Sequence, residues 1–316
     1  MTRTVSDDFI GDLTRTDGFL YPILERVRKD NTLMIAIRNN YINIYYRGGS
    51  ILKLTRQNKG SYQSFFDRRY NKTEQPILLP TTINNQDDAK IWVNFFQDLK
   101  LNMDFYFSVN SKPEREFQQL VARENNDSTI SNESEYFITD IEFADTGLGA
   151  RFDMLAIRWL ASQRKNGGTC RATFIEMKYG DHALDGSAGL QKHLEDIDAL
   201  ISSDRYAKLL CTMESKFDQL NKLNLLKFNQ CSNETKVKLD IKDKPEVVFM
   251  LANHNPRSSK LKTILNNSEI DEYAQSDKFD LRFCISSFAG YGLHSDCMFA
   301  LNDFRKILDY LPSKRQ

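Results

Sequence analysis

Two apolar runs of strand length, residues 152–159 (FDMLAIRW) and 172–179 (ATFIEMKY), constrain the fold more than any other feature of this chain. Each carries an acid where a buried strand should carry a hydrophobe. The polar, glycine-containing segment between them, Gln163 to Gly168, reads as a hairpin turn. Strand side chains alternate, so Glu176 and Lys178 share a face. A symmetric hairpin centred near Lys165 and Asn166 sets Asp153 opposite Lys178, with Glu176 one diagonal step away. Two carboxylates and an ammonium on one face of an apolar sheet are costly to bury. They require mutual pairing, a metal ion or access to water.

The rest of the chain supplies ample apolar material for a core: 41% of its 316 residues are hydrophobic, enough for one large or two modest domains. Lysine plus arginine equals aspartate plus glutamate at 43 each, so no whole-molecule field draws the chain to nucleic acid or anionic membrane, and polyanion binding needs a local patch. Five scattered cysteines without a CxxC pair argue against a disulfide framework and a zinc knuckle. With no apolar stretch near the length that spans a bilayer, the expectation is a cytoplasmic protein with no membrane partner.

Residues 1–110 read as a β-rich N-terminal module. A helical pattern over 7–28 is followed by short alternating runs (LMIAIR, YINIYYRG, SILKLTR, SYQSFFD) punctuated by Asn and Gly, the pattern of an antiparallel meander. A helix is expected over 87–99. From residue 111 the order is a helix over 112–126 (KPEREFQQLVARENN), strands at 136–144, 152–159 and 172–179, helices over 188–200 and 204–225, a buried strand VVFMLA at 247–252, a helix over 258–266, a strand over 281–288 and a closing helix over 302–311. The 146–149 segment turns the first of these strands into the second.

The chemistry suited to Asp153, Glu176 and Lys178 is that of a hard divalent cation, Mg²⁺ or Mn²⁺, held by one or two carboxylates, water and substrate phosphate oxygens, with an ammonium steadying the developing charge. The residues Asp153 in FDMLAI and Glu176-Met177-Lys178 in FIEMK resemble the PD-(D/E)XK nuclease superfamily, typified by restriction endonucleases and archaeal Holliday-junction resolvases. The resemblance extends over roughly 112–290 in element order. It implies a restriction-endonuclease-like α/β fold, a mixed central sheet flanked by helices, for residues 111–316. It further implies metal-dependent hydrolysis of nucleic acid, DNA in preference to RNA, with Asp153 and Glu176 on the metal and Lys178 catalytic. The family's helix glutamate corresponds to Glu116 or its rival Glu114, assigned here as Glu116 on the metal, and its helix glutamine to Gln191. Phe152 stands where the family often has proline, and Glu195 where some exonuclease-like members have tyrosine.

Blander readings stand beside these. A lone acid–x–lysine suits an exposed cross-strand ion pair, and Glu116 suits a helix first turn facing water. The alternative for the whole chain is a non-catalytic module that binds nucleic acid or protein. Asp181, His182 and His193 read as surface or loop residues, and Asn253 to Arg257 as a turn. Between Arg38 and Lys72, eight cations with interleaved tyrosines form a patch suited to nucleic acid, or to a protein partner or second copy of the chain.

Overall fold

The computed structural model describes residues 3–58, 60–71, 78–129, 131–145, 150–166, 170–186, 189–228, 237–255, 259–286 and 290–310. Outside that range fall Lys59 and Lys72 of the basic cluster, the turns expected at 146–149 and 167–168, Cys231, and Pro256 with Arg257. Cys284 and Cys297 are free thiols. The chain is a mixed α/β protein with two five-stranded sheets, divided into two compact units: Met1–Arg123 with Ser215–Lys227, and Glu124–Glu214 with Phe228–Gln316.

In the first unit the expected single helix over 7–28 is two, α1 (Asp7–Thr14) and α2 (Tyr21–Arg28). The break lies at Gly18, whose backbone presses so closely on Asp12 that any Cβ there would collide with the Asp12 carbonyl. The meander follows: β1 (Met34–Ile37), β2 (Tyr41–Tyr46), β3 (Gly49–Arg56), β4 (Tyr62–Phe65) and β5 (Thr82–Ile83) pair in sequence order, all antiparallel. Strand alternation buries Ile42, Ile44, Leu52 and Leu54. At the β2–β3 hairpin both central residues, Arg47 (φ 47°) and Gly48 (φ 80°), are left-handed, the conformation of the tight two-residue turn that matches strand twist. Helix α3 runs Gln86–Val109, ten residues beyond its expected end, because Trp92, Phe96, Leu99, Met103 and Phe107 keep one buried stripe going.

The two compact units divide within the next helix. Helix α4 (Pro113–Asn126) starts in the first unit, where its Arg115 and Glu116 lie directly against Gly48, and only its last three residues group with the second unit. The segment 215–227 also belongs to the first unit; there Gln219 exchanges hydrogen bonds with both backbone groups of Val5 (3.2 and 2.7 Å), and Lys216 donates to the Ile37 carbonyl at 2.9 Å.

The second unit is built on a sheet of order β10-β9-β8-β7-β6, with β6 (Tyr136–Asp145), β7 (Ala150–Arg158), β8 (Arg171–Tyr179), β9 (Glu246–Ala252) and β10 (Asp280–Ile285). The pairs β6–β7 and β7–β8 are antiparallel, while β8, β9 and β10 are parallel. Parallel neighbours need long crossovers. Helix α5 (Leu190–Ile201) and α6 (Arg205–Lys222) lie between β8 and β9, whereas α7 (Lys260–Leu265) and α8 (Ser268–Asp271) lie between β9 and β10, with α9 (Leu301–Tyr310) closing the chain. All seven residues of β9 and the seven central residues of β8 are buried, as strands covered on both faces should be.

Candidate active site

Glu176 and Lys178 sit in the second half of β8, 1% and 5% exposed. Asp153 on β7 is half-buried. The β7–β8 ladder runs from Arg158↔Arg171 to Met154↔Ile175, so Asp153 arrives level with Glu176 rather than with Lys178. The expected pairing is thus corrected by two residues. Among the described residues of the connection, a 3₁₀ segment, Ala161–Asn166, is held by the buried Arg164 guanidinium, which donates to the carbonyls of Trp159, Asn132 and Ser134.

The offset brings the two acids together. Asp153 Oδ2 accepts the Met177 backbone N–H at 2.9 Å, and its charge bears on Glu176. Burial raises the Glu176 carboxyl well above the ordinary glutamate range, the Asp153 charge raises it further, and the Lys178 ammonium pulls back. Its Oε1 is buried without a hydrogen-bond partner, while Oε2 lies 3.4 Å from His193 Nδ1 on α5.

A second buried glutamate on the same sheet provides the contrast. Glu246, 3% exposed at the start of β9, accepts the Tyr136 hydroxyl at 2.8 Å and has Arg158 and Arg171 guanidinium nitrogens each at 3.5 Å. That acid is compensated, as buried charges ordinarily are. Glu176 instead faces another carboxylate with one oxygen unsatisfied.

The other expected members are placed differently. Glu116 belongs to the first unit, where its Oε1 accepts from Arg47 Nε at 2.9 Å with the side chain 44% exposed; Arg47 also holds Asp104 at 2.9 Å. Glu114 is half-buried in the first turn of the same helix. Gln191 donates to Glu195 at 3.2 Å and lines a cleft of about 460 Å³ with Asp185, Lys192 and Thr263. It stands two residues before His193, about 200° round the helix, so α5 turns His193 and not Gln191 toward Glu176. His193, expected at the surface, is a site neighbour. Its signal was available: it borders the apolar stripe Leu190, Leu194, Ile197 and Leu200 that docks α5.

The basic cluster of the first unit is largely engaged at home. Arg38 is buried, Arg47 is clamped as described, Arg56 pairs with Asp8 at 2.7 Å, Arg69 pairs with Asp67 at 2.8 Å, and Lys53 lies 4.3 Å from the centre of the Tyr41 ring. Cation–aromatic contacts therefore occur, but within the unit.

Among the described residues no group of three or more His, Cys, Asp and Glu side chains is arranged to hold a metal ion. A carboxylate pair with an orphaned oxygen suits an ion that draws its remaining ligands from water and substrate phosphate, so the residues fit Mg²⁺ or Mn²⁺ as a two-carboxylate site. The fold and site define a mixed α/β protein with two acids and a lysine gathered in a buried sheet. No protein-family model matches the sequence, no curated protein matches it, and no solved structure matches it. Among the described residues no helix is long and apolar enough to cross a membrane.

Proposed function

We propose that this protein is a metal-dependent nuclease of the restriction-endonuclease-like kind, hydrolysing phosphodiester bonds of nucleic acid, DNA in preference to RNA. The observation that carries the reading is the Glu176 carboxyl group, buried beside Asp153 with Oε1 unsatisfied, an arrangement that costs stability unless a proton or a cation joins it. Bound there, Mg²⁺ or Mn²⁺ would supply positive charge to the phosphate and lower the pKa of a water toward neutrality. Asp153, oriented by the Met177 N–H, and Glu176 would hold that ion. Lys178 would donate to a non-bridging phosphate oxygen and stabilise the extra charge of the pentavalent transition state. In the reaction the water oxygen bonds to phosphorus, its proton departs, and the P–O ester bond breaks, leaving an alcohol and a phosphomonoester.

The test is incubation of purified protein with linear, circular and branched DNA and with RNA, in Mn²⁺ and in chelator. Cleavage that requires the metal and is abolished in folded Asp153→Ala, Glu176→Ala and Lys178→Ala variants supports the reading. Full activity in all three variants would sink the site assignment.

A further inference from the structure

Beyond the acid pair, the parallel strands β8 and β9 end in a matched construction. Their last residues, Tyr179 and Ala252, are paired, and the Gly180 N–H reaches back to the Ala252 carbonyl at 3.0 Å. Each strand is then turned by one left-handed residue, Gly180 (φ 75°) and Asn253 (φ 54°). The next residue of each loop delivers a polar side chain, Asp181 from one and His254 from the other, and these meet with Asp181 Oδ1 at 2.9 Å from His254 Nδ1. Both side chains are largely sequestered, 17% and 6% exposed. Two independent loops thus pass through a left-handed residue, glycine in one and asparagine in the other, to form one contact.

The chemistry of that contact is directional. Asp181 Oδ1 also accepts the Asn255 backbone N–H at 3.3 Å, so it acts as an acceptor and His254 Nδ1 as the donor. In the neutral ring the lone pair is then on Nε2. A carboxylate that fixes the tautomer of a histidine, leaving the far nitrogen as base, is the arrangement by which proteins make a positioned proton acceptor. The place is also apt: open α/β sheets receive ligands beyond the carboxyl ends of their parallel strands, and the pair lies three residues past Lys178 and its partner Leu251.

We propose that His254 is a proton-transfer residue of the hydrolytic site, with Asp181 its positioning residue. The inference rests on the nuclease reading and adds to it a base that the acid pair and Lys178 do not supply. As the water oxygen bonds to phosphorus, its proton passes to Nε2; as the P–O ester bond breaks, the leaving oxygen takes a proton from solvent. His254 later returns its proton to water.

The experiment compares cleavage by wild-type, His254→Ala and Asp181→Asn proteins in Mn²⁺, with thermal unfolding to establish that each is folded. His254→Ala should lower kcat by about 100-fold or more with KM for DNA little changed, and added imidazole should restore part of the rate. In Asp181→Asn, ¹⁵N NMR of the imidazole should show loss of the Nδ1–H tautomer present in the wild type. Wild-type rates in folded His254→Ala overturn the proposal while leaving the nuclease reading intact. Equally, an Nε2–H tautomer in the wild type overturns it, even where a variant fails to fold. Absence of any metal-dependent cleavage by the wild type refutes the nuclease reading, and the proposed role of His254 falls with it.

Discussion

Replacing Glu176 by Gln should make the metal-free protein more stable while disabling its site. The magnitude follows from geometry. Asp153 and Glu176 stand level on neighbouring strands, where facing Cβ atoms are about 5 Å apart, and at an effective dielectric constant of about 20 two like charges at such a distance repel by about 3 kcal/mol. Lys178 offsets part of this. Protonation sets a ceiling: at pH 7 the buried acid can escape its cost by taking a proton, which from an ordinary glutamate value of 4.5 limits the penalty to about 3.5 kcal/mol. We therefore expect Glu176→Gln to gain about 2 kcal/mol at pH 7 in chelator, a rise of about 4–8 °C in Tm for a unit of this size. The sign with pH is fixed. A carboxyl whose folded pKa is raised costs nothing below its unfolded pKa, and the cost grows as pH rises from there toward the folded value. The advantage of the variant should accordingly be near zero at about pH 4 and widen toward neutrality. Thermal unfolding of both proteins across that range is the assay. A variant no more stable than wild type at pH 7, or a gap that does not open with pH, would refute the reasoning.

Other parts of the molecule give independent expectations. Tyr136→Phe removes the 2.8 Å hydroxyl bond to buried Glu246 and should cost about 1–3 kcal/mol in urea unfolding. In the first unit, burial pushes the Asp30 carboxyl up, but bonds from Lys100 and Thr32 outweigh it and hold the group at about 2. Its stabilising contribution is present above about pH 4 and lost as pH falls toward 2. Lys100→Met should flatten the loss of urea stability in that window. At the β2–β3 turn, Arg47→Ala loses half-exposed pairs with Asp104 and Glu116, worth about 1 kcal/mol together, and keeps a left-handed residue with a Cβ. Arg47→Gly loses the same pairs but relieves the backbone, so it should be the more stable of the two by up to about 1 kcal/mol in thermal unfolding.

What could be read from the sequence was whatever local pattern determines. Alternation at Ile42, Ile44, Leu52 and Leu54 marked the meander, and the unbroken apolar run of β9 marked a central strand. Asp153 and Glu176 stood out because acids are rare inside such runs. What escaped was set by tertiary geometry. The β7–β8 register is not the symmetric one that a strand pattern suggests, and the Arg164 bonds that hold the 3₁₀ segment of the connection reach residues some thirty positions away. The helix expected over 7–28 broke where Gly18 packs on Asp12, a contact between residues six apart. Glu116 and Gln191 were chosen by position in an element order. In the structure Glu116 pairs with Arg47 of the β2–β3 turn, and α5 brings His193 within 3.4 Å of Glu176 while Gln191 bonds Glu195, contacts that no element order encodes. The Asp181–His254 pair joins residues 73 apart, and neither loop alone reveals it.

Calorimetric titration of Mn²⁺ into the protein, alone and with a short DNA duplex, bears most directly on the central claim that Asp153 and Glu176 form a cation site. The account predicts binding by the wild type that is strengthened by DNA, whose phosphate oxygens complete the ligand set, and that is lost in Asp153→Asn and Glu176→Gln. No binding by the wild type at any accessible concentration, with DNA present, would contradict it and leave the acids as part of a non-catalytic module.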